Sequence, residues 1–245
     1  MSSVVITGAG KGIGAGIVEA FAKAGWSIVA VDRDRSSLEA TAAQVGGKTV
    51  TLAGDVADRA TSEAAVKMAV DRFGGLDAAV GNAGVTLPKL IDDTSPAEFD
   101  RLFAINVKAL MFLAQAAHRA LAKSRGSLTV IASKTGLVAQ RNSPIYVATK
   151  GAAVQLARAL ALDWAPEGIR VNAICPGIVD TPMLKEFIDA MPDPAASRRE
   201  HEAAQPLGRL ATPAEVASAV LFLATPAAAF ITGVALPVDG GFTAE

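Results

Sequence analysis

The stretch SVVITGAGKGIGAGIVEAF, residues 3–21, decides the fold class. Residues 3–7 are mostly β-branched and indicate a strand, and the apolar spacing at Ile17, Val18 and Phe21 indicates a helix. The glycines between them permit positive φ and close backbone approach, so free amides at the start of the helix could face a pyrophosphate. A glycine turn between a first strand and a first helix therefore predicts dinucleotide binding.

The rest of the chain repeats this alternation. Apolar segments predict strands at 28–31, 49–53, 76–80, 127–132, 169–174 and 234–238, and helical periodicity marks 12–25, 35–44, 59–73, 97–123 and the segment that contains Tyr146. Strands that alternate with helices predict a parallel sheet covered on both faces. We therefore predict an α/β fold, with residues 1–245 as a single domain built on a Rossmann-like doubly wound sheet of about seven parallel strands.

Residues 181–208 do not follow this alternation of strands and helices. The prolines Pro182, Pro192, Pro194 and Pro206 interrupt a charged, partly helical segment. Because this long segment follows a strand end, we expect it to act as a substrate lid.

Composition argues against several classes of function. The chain is 51% hydrophobic and 19% charged, with a formal net charge of −1, so nothing favours binding to nucleic acid or an anionic membrane. The single cysteine, Cys175, excludes an internal disulfide, and its place at the end of an apolar run favours a buried, inert thiol. With His118 and His201 as the only histidines, neither a zinc cluster nor a histidine-based triad is indicated, and we expect no metal.

No feature of a targeting or membrane-spanning segment is evident. The chain begins MSSVVI, without a basic region or cleavage site, and lacks an unbroken apolar run of about 18 residues. We therefore expect a cytoplasmic protein.

Tyr146 and Lys150 are the strongest candidates for chemistry. On a helix, residues four apart share one face at about 6 Å, so the ammonium would favour the phenolate and lower the phenol pKa. Such tuning suits acid–base catalysis. Ser133 follows the predicted strand 127–132, which would place its hydroxyl at the carboxyl end of the sheet, where ligands bind. Taken alone, Tyr-x-x-x-Lys also occurs by chance on amphipathic helices.

Asp32 ends the second predicted strand, about twenty residues after the glycine turn. A carboxylate there can accept hydrogen bonds from the adenosine ribose and repel a 2′-phosphate, which favours NAD over NADP. Lys11 and Arg33 favour NADP, because either could reach such a phosphate. The alternative for Asp32 is a solvated turn carboxylate.

These motifs together resemble the short-chain dehydrogenase/reductase family. The glycine turn has the family's spacing, Thr7-Gly8-x-x-x-Gly12-x-Gly14, and further matches follow in the family's order: Asn82-Ala83-Gly84, Asn106, Ser133 with Tyr146-x-x-x-Lys150, Pro176-Gly177, and the closing segments 231–233 and 238–241. Two positions depart from the pattern. Gly81 stands where the family often has a second asparagine, and Lys134 follows the serine where a small residue is frequent.

The resemblance implies hydride transfer between a nicotinamide and a substrate carbon. Tyr146 would give a proton to the substrate oxygen or take one from it, and Ser133 would hydrogen-bond the same oxygen. Lys150 would lower the Tyr146 pKa and bind the nicotinamide ribose. Asn106 would distort its helix and hold a water that links Lys150 to solvent; its alternative is a buried amide that satisfies backbone groups.

The resemblance also implies a cofactor-binding set: Gly8, Lys11, Gly12, Ile13, Gly14, Asp32, Arg33, Asp55, Val56, Asn82, Ala83, Gly84, Tyr146, Lys150, Pro176, Gly177, Ile178, Val179 and Thr181. Asp55 and Val56 would contact the adenine, although Asp55 could also cap the following helix. Residues 176–179 would lie along the nicotinamide, with Thr181 near its carboxamide or the pyrophosphate.

Candidate substrate residues lie in the loop after Ser133 and in the lid: Gln140, Arg141, Asn142, Met183, Leu184, Phe187, Ile188 and Met191. An apolar lid opposite a few polar groups suits a small or medium secondary alcohol or ketone. Arg141 could bind a carboxylate or be a solvated loop residue, and the apolar lid residues could equally serve packing or subunit contact.

The leading prediction is an NAD-dependent oxidoreductase that acts on a secondary alcohol, such as a polyol, sugar or cyclic diol. One alternative is an NADPH-dependent 3-oxoacyl-thioester (acyl-carrier-protein) reductase, against which Asp32 and the modest charge argue. Another is a dinucleotide-binding sensor or scaffold, against which the joint presence of Ser133, Tyr146 and Lys150 argues.

The family resemblance further implies a homotetramer or homodimer formed through the helices near 97–123 and 147–165, with the C-terminal segment adding a second interface. Small side chains at Ala148, Ala152, Ala153 and Ala157 would allow close helix approach across a symmetric interface.

Overall fold

A single parallel sheet organises the computed structural model, which describes residues 2–244. Within that range seven strands form the sheet in the order β3-β2-β1-β4-β5-β6-β7. Their bounds are β1 Ser3–Thr7, β2 Ser27–Asp32, β3 Thr49–Ala53, β4 Ala78–Gly81, β5 Ser127–Ile131, β6 Arg170–Pro176 and β7 Ala235–Val238. Every adjacent pair is parallel, which confirms the predicted doubly wound α/β fold.

Helices cover both faces of the sheet. They are α1 Gly12–Lys23, α2 Arg35–Val45, α3 Arg59–Phe73, α4 Pro96–Phe103, α5 Ala109–Ser124, α6 Pro144–Trp164, α7 Pro182–Asp189, α8 Pro194–Ala203 and α9 Pro213–Ala224. Buried residues of α3, α5 and α6 pack on one face, and those of α1, α2 and α9 pack on the other. The predicted helix 97–123 is in fact α4 and α5 joined by the π-helical turn Ala104–Lys108.

Strand residues are buried on both sides of the sheet. In β1, Val5 belongs to the core on the α5 and α6 side, whereas Val4 and Ile6 belong to the core on the α1 and α9 side. Successive strand residues point to opposite faces, so a strand between two helical layers must be apolar throughout. This requirement explains the unbroken apolar runs in the sequence.

The order of the strands creates a switch point between β1 and β4. From β1 the chain proceeds outward to β2 and β3, then returns so that β4 lies on the other side of β1. The loops that follow β1 and β4 therefore leave the sheet in opposite directions, and ligands of such sheets bind in the crevice between them.

Two of the alanines expected at a subunit interface lie in the core instead. Ala153 and Ala157 are buried and pack with other core residues of α5 and β5, because that side of α6 faces the sheet. Ala148 is exposed and Ala152 is partly buried. The predicted four-alanine contact side is therefore wrong for Ala153 and Ala157.

No helix in residues 2–244 is both long enough and apolar enough to cross a bilayer.

Packing around Gly81 explains the first departure from the family pattern. Gly81 ends β4, and a Cβ built on it would meet the Leu110 side chain of α5. We expect Gly81→Ala to destabilise the fold by about 1–3 kcal/mol through overpacking, and Leu110→Ala by about 2–5 kcal/mol through the cavity that it leaves. The double variant should lose less than the sum of the two, because the smaller residue at 110 makes room for the new methyl group.

Urea unfolding of the four proteins measures this coupling. Gly75→Ala is a matched control, since a Cβ at Gly75 would have no neighbour within 4 Å. Strict additivity of Gly81→Ala and Leu110→Ala would contradict the packing explanation.

Candidate active site

Helix α6 brings Tyr146 and Lys150 together. The Lys150 Nζ lies 5.8 Å from the centre of the Tyr146 ring. Lys150 is only 5% exposed, and its Nζ donates a 3.0 Å hydrogen bond to the Ile131 carbonyl at the end of β5. The pair thus shares one helix face, as its spacing predicts, and this bond anchors α6 at the carboxyl edge of the sheet.

Ser133 joins this pair from the end of β5. Its hydroxyl is hydrogen-bonded to the Tyr146 phenol, and it also accepts a 3.2 Å bond from the Thr135 amide. The turn after Ser133 can approach α6 only because residue 136 is glycine, since a Cβ there would lie 2.7 Å from the Lys150 carbonyl oxygen. The structure therefore brings Ser133, Tyr146 and Lys150 into one cluster.

Burial controls the ionisation of this cluster. It raises the pKa of the Tyr146 phenol, and the hydrogen bond with Ser133 opposes that shift without reversing it. Burial also lowers the pKa of Lys150 to about 8. The net shift of the Tyr146 pKa is opposite to the one that the sequence predicts, because the sequence reveals the neighbouring charge but not the depth of burial.

Asn106 ties the segment after β4 to α6. It lies in the π-helical turn and is 2% exposed. Its Nδ2 donates to the Val85 carbonyl at 2.9 Å and to the Thr149 Oγ1 at 3.0 Å, while its Oδ1 accepts from the Val85 amide at 2.9 Å. Thr149 in turn donates to the Tyr146 carbonyl at 2.7 Å. The helix distortion expected at Asn106 is present, and its side chain satisfies the backbone, as the alternative reading proposed.

Gly84 keeps the space beside the lysine open. A Cβ at Gly84 would lie 3.4 Å from the Lys150 Nζ and 3.5 Å from the Asn106 Oδ1. Both distances are ordinary van der Waals contacts, so a methyl group at residue 84 would fill the space beside the two groups without a clash.

Asn82 holds the glycine turn in place. Its Nδ2 donates to the carbonyls of Thr7 and Gly8, at 2.9 Å each, and its backbone amide donates to the Thr7 Oγ1 at 3.0 Å. Gly8 has a φ of +64°, and Ala83 lies against its Cα, where a Cβ would be 2.8 Å from the Ala83 Cα. The ends of β1 and β4 are thus clamped together.

The N-terminus of α1 fits a phosphate group. Six of the helices begin at a residue whose side chain caps the first amides: Asp34, Asp58, Ser95, Thr181, Asp193 and Thr212. Helix α1 begins after Lys11, which makes no such bond, so its first-turn amides have no side-chain acceptor. Free amides and the positive end of the helix dipole together suit an anion.

Thr181 covers the same turn from the other side of the crevice. A Cβ on Gly12, whose φ is +54°, would lie 3.1 Å from the Thr181 Cγ2. The start of the predicted lid and the glycine turn are therefore adjacent, while Ile13 next to Gly12 packs against the core on the α1 side.

The end of β2 is strongly hydrogen-bonded. The Asp32 Oδ2 accepts from the Gly10 amide at 2.9 Å, and its Oδ1 accepts from the Asp34 amide at 3.0 Å. Lys11 forms a 2.9 Å ion pair with Asp34, whereas Arg33 is exposed. Asp32 is therefore not a freely solvated turn carboxylate, since two backbone amides fix its orientation.

Asp55 and Val56 follow β3 at the same edge of the sheet. The Asp55 Oδ1 accepts from the Ala57 amide at 2.8 Å, and Val56 is buried. The residue that caps α3 is Asp58, which accepts from the Ala60 amide at 3.0 Å. The alternative that Asp55 caps the following helix is therefore wrong, because α3 begins three residues later than that alternative requires.

Gln205 is a site residue that the sequence did not reveal. It is 1% exposed, its Oε1 accepts from the Ile178 amide at 2.8 Å, and its Nε2 donates to the Ile178 carbonyl at 3.2 Å and to the Arg209 carbonyl at 2.6 Å. It thereby fixes the segment Pro176, Gly177, Ile178 and Val179 against the end of the predicted lid. A single glutamine in a loop carries no motif, so no sequence signal could have found it.

The predicted substrate residues up to Ile188 lie on two elements, the exposed loop after Ser133 and α7. Gln140, Arg141 and Asn142 are exposed, and none of them hydrogen-bonds Ser133 or Tyr146 in the described range. On α7, Met183 is exposed, while Leu184 and Phe187 are partly buried, with the Phe187 ring 5.8 Å from His201 of α8. Ile188 is buried and serves packing.

Lys134, the second departure from the family pattern, is buried next to Ser133. It is 7% exposed, and its Nζ lies 3.2 Å from the centre of the Phe242 ring. Burial lowers the pKa of Lys134 to about 8, and the charge of Asp239 opposes that shift. The lysine therefore connects the turn after Ser133 to the C-terminal segment through a cation–π contact.

The lowered pKa of Lys134 predicts a pH-dependent contribution to stability. Between its folded pKa of about 8 and its ordinary value of 10.5, the unfolded lysine holds a proton that the folded one has released. The free energy of unfolding should therefore rise with pH in this window. Relative to Lys134→Met, the wild-type protein should gain stability from pH 8 to 10 in urea unfolding series. The unfolding free energy of the exposed control Lys67→Met should follow the same pH dependence as that of the wild type. If Lys134→Met also followed the wild-type pH dependence, the assignment would be refuted.

Comparisons with known proteins identify related chains. A family model described as enoyl-(acyl carrier protein) reductase matches residues 8–243. L-fucose dehydrogenase of Bos taurus is 43% identical over 239 residues, which are 97% of this chain and 88% of that protein. Meso-2,3-butanediol dehydrogenase of Serratia marcescens is 34% identical over 243 residues, 99% of this chain and 94% of that protein.

Solved structures show the same architecture. The crystal structure of 3-ketoacyl-(acyl-carrier-protein) reductase from Brucella melitensis complexed with NADH is similar, with a TM-score of 0.92 at 35% identity, covering 99% of this chain and 98% of that one. Similarity of this extent assigns the family. The chain belongs to the short-chain dehydrogenase/reductase family.

Proposed function

We propose that the protein is an NAD(H)-dependent oxidoreductase that interconverts a secondary alcohol and its ketone. The observation that carries this proposal is the cluster of Ser133, Tyr146 and Lys150 at the carboxyl end of β5, in the same crevice as the glycine turn. A hydroxyl, a phenol and an ammonium in one cluster can bind a substrate oxygen and move its proton.

Residues of the protein would transfer the proton. Tyr146 is neutral at physiological pH because burial raises its pKa, so it is ready to donate a proton to a carbonyl oxygen. Ser133 would hydrogen-bond that oxygen and stabilise the charge that develops on it. In the oxidative direction Tyr146 would accept the proton, and the Lys150 ammonium would favour the phenolate. The nicotinamide, when bound, supplies or accepts the hydride.

The cofactor would lie across the switch point. Amides at the start of α1 would hold the pyrophosphate, Asp32 the adenosine ribose, Lys150 the nicotinamide ribose, and residues 176–179 the nicotinamide. The orientation that the Gly10 and Asp34 amides impose on Asp32 supports a choice of NAD over NADP, since a fixed carboxylate repels a 2′-phosphate.

Residues 181–208 would close over the substrate as a lid. Contact between Thr181 and Gly12 supports this role, because the segment begins over the glycine turn. The exposed Met183 and the half-buried Leu184 and Phe187 give α7 an apolar side for the carbon skeleton. Relatives named for a sugar and for a diol support a hydroxylated small molecule as the substrate.

A 3-oxoacyl-thioester reductase is the second candidate. It is favoured by the 35% identical structure named as a 3-ketoacyl-(acyl-carrier-protein) reductase. Turnover across sugars, polyols, cyclic diols and a 3-oxoacyl thioester, each with NADH and NADPH, separates the two. Thioester reduction without alcohol oxidation would favour this second candidate.

Replacing Tyr146 with Phe should abolish turnover, with a loss of about 10²–10⁴-fold or more in kcat, because the general acid–base is removed. Binding of NADH, followed by its fluorescence, should change little. Ser133→Ala should lower kcat while Ser218→Ala, on the surface of α9, should not. Activity of Tyr146→Phe near the wild-type level would contradict the assignment of Tyr146 as the proton donor and acceptor.

The composition offers a direct readout of this residue. Tyr146 is the only tyrosine in the chain. The ultraviolet absorbance of tyrosinate during an alkaline titration therefore reports the Tyr146 pKa alone, and it should lie above the usual value of about 10 in the protein without cofactor.

We also propose that the protein is a homotetramer or homodimer. A groove between α5 and α6 is lined by Met111, Ala114, Gln115, His118, Leu156, Leu160 and Trp164. An apolar groove between two long helices suits a symmetric contact with the same helices of a second copy. Light scattering should give a mass of two or four chains; a monomer would contradict the proposal.

A further inference from the structure

We propose that Asp34 is a specificity-determining residue that disfavours NADP by keeping Lys11 in an ion pair. The inference rests on the proposed function, since it concerns the dinucleotide that the glycine turn would bind. It assigns to Asp34 a role that neither the glycine motif nor the carboxylate at the end of β2 supplies.

The two carboxylate oxygens of Asp34 accept hydrogen bonds from different partners. Its Oδ1 caps α2, accepting from the Ser36 amide at 3.1 Å and the Ser37 amide at 3.3 Å. Its Oδ2 is left to accept from the Lys11 Nζ at 2.9 Å. The cap fixes the orientation of the carboxylate, so its second oxygen is held ready for the lysine.

Lys11 is the cation of the glycine turn itself. It immediately precedes α1, and its neighbour Gly10 donates its amide to Asp32. A 2′-phosphate on a ribose held by Asp32 would therefore lie close to this lysine. To bind that phosphate, Lys11 would have to leave Asp34, and the phosphate would then face both Asp32 and Asp34.

Electrostatics point in the same direction. The pKa of Lys11 is raised first by its hydrogen bond to Asp34 and by the Asp34 charge, with smaller contributions from Asp32 and from Glu186 on α7. The same contact, with the hydroxyl of Ser36 and the amide of Ser37, holds the pKa of Asp34 far below its usual range. The charges of three carboxylates thus stabilise the ammonium, and the exposed Arg33 and Arg35 are further cations that follow β2.

The effect should be moderate in size. The side chains of Lys11 and Asp34 are 62% and 38% exposed, and exposed ion pairs are screened by water and salt. Asp34 therefore tunes the preference that Asp32 establishes, and a change of several-fold in relative affinity is expected rather than a complete reversal.

The test is a replacement that removes the negative charge of residue 34 and keeps the helix cap. Asparagine caps helices as well as aspartate does, so Asp34→Asn should retain the bonds to Ser36 and Ser37 and lose the charge together with the oxygen that accepts from Lys11. Titration by NADPH fluorescence should show binding about fivefold tighter, the scale of an exposed charge pair, while NADH binding changes less than about twofold. The gain should shrink at high salt.

A second variant decides whether Lys11 carries the effect. In Lys11→Ala/Asp34→Asn the gain for NADPH should disappear. If the gain persists there, Asp34 acts by direct repulsion and the role of the ion pair is wrong; if Asp34→Asn leaves the NADPH-to-NADH ratio unchanged, the proposal falls. Asp58→Asn, which removes the same charge from the cap of α3, is the matched control and should leave the ratio unchanged.

These outcomes are separable from failure of the proposed function. Binding of neither dinucleotide by the wild-type protein would overturn the function itself. A wild type that prefers NADPH would overturn the role given to Asp32, and the Asp34→Asn ratio would still test the ion pair. Because binding is measured without turnover, a Tyr146→Phe background gives the same test independently of catalysis.

Discussion

The strands in residues 2–244 all run in one direction, and the site depends on that constraint. Their carboxyl ends meet at a single edge, so the residues that follow β1, β2, β4, β5 and β6 converge although they are far apart in the chain. The glycine turn, Asp32, Asn82, Ser133 and Pro176 all stand at this edge. An antiparallel arrangement would have placed half of them on the opposite side of the sheet.

Close backbone approach is the second requirement of the site, and glycines meet it. A Cβ on Gly14 would overlap the Gly8 carbonyl oxygen, and one on Gly136 would meet the Lys150 carbonyl. The first contact lets α1 start directly against β1, and the second lets Ser133 reach Tyr146. Asn82 then locks the turn by bonding two of its carbonyls. Glycines thus allow the backbone segments to approach each other, and this approach positions the polar side chains of the site.

Burial shifts the pKa values of the groups inside the site, whereas ion pairing shifts those at its rim. Lys150 and Lys134 both lie in largely dry surroundings that lower their pKa values to about 8, and burial raises that of Tyr146. At the rim of the crevice the opposite holds, because Lys11 and Asp34 are exposed and strengthen each other's charge. The interior of the site is thus tuned by desolvation and its rim by ion pairing.

The sequence alone determined the order of the strands, the helices up to α6 apart from the break between α4 and α5, several bounds to the residue, such as 49–53 and 59–73, and the family, but it did not predict α9. Local periodicity and spacing carry that information, since each depends on neighbours along the chain. The tertiary structure alone decided that Asn106 bonds Val85 and Thr149, that Gln205 braces Ile178, and that Lys11 pairs with Asp34. It also decided that burial raises the pKa of Tyr146. These outcomes depend on contacts and solvent exclusion between residues remote in sequence, and only packing of the whole chain determines those.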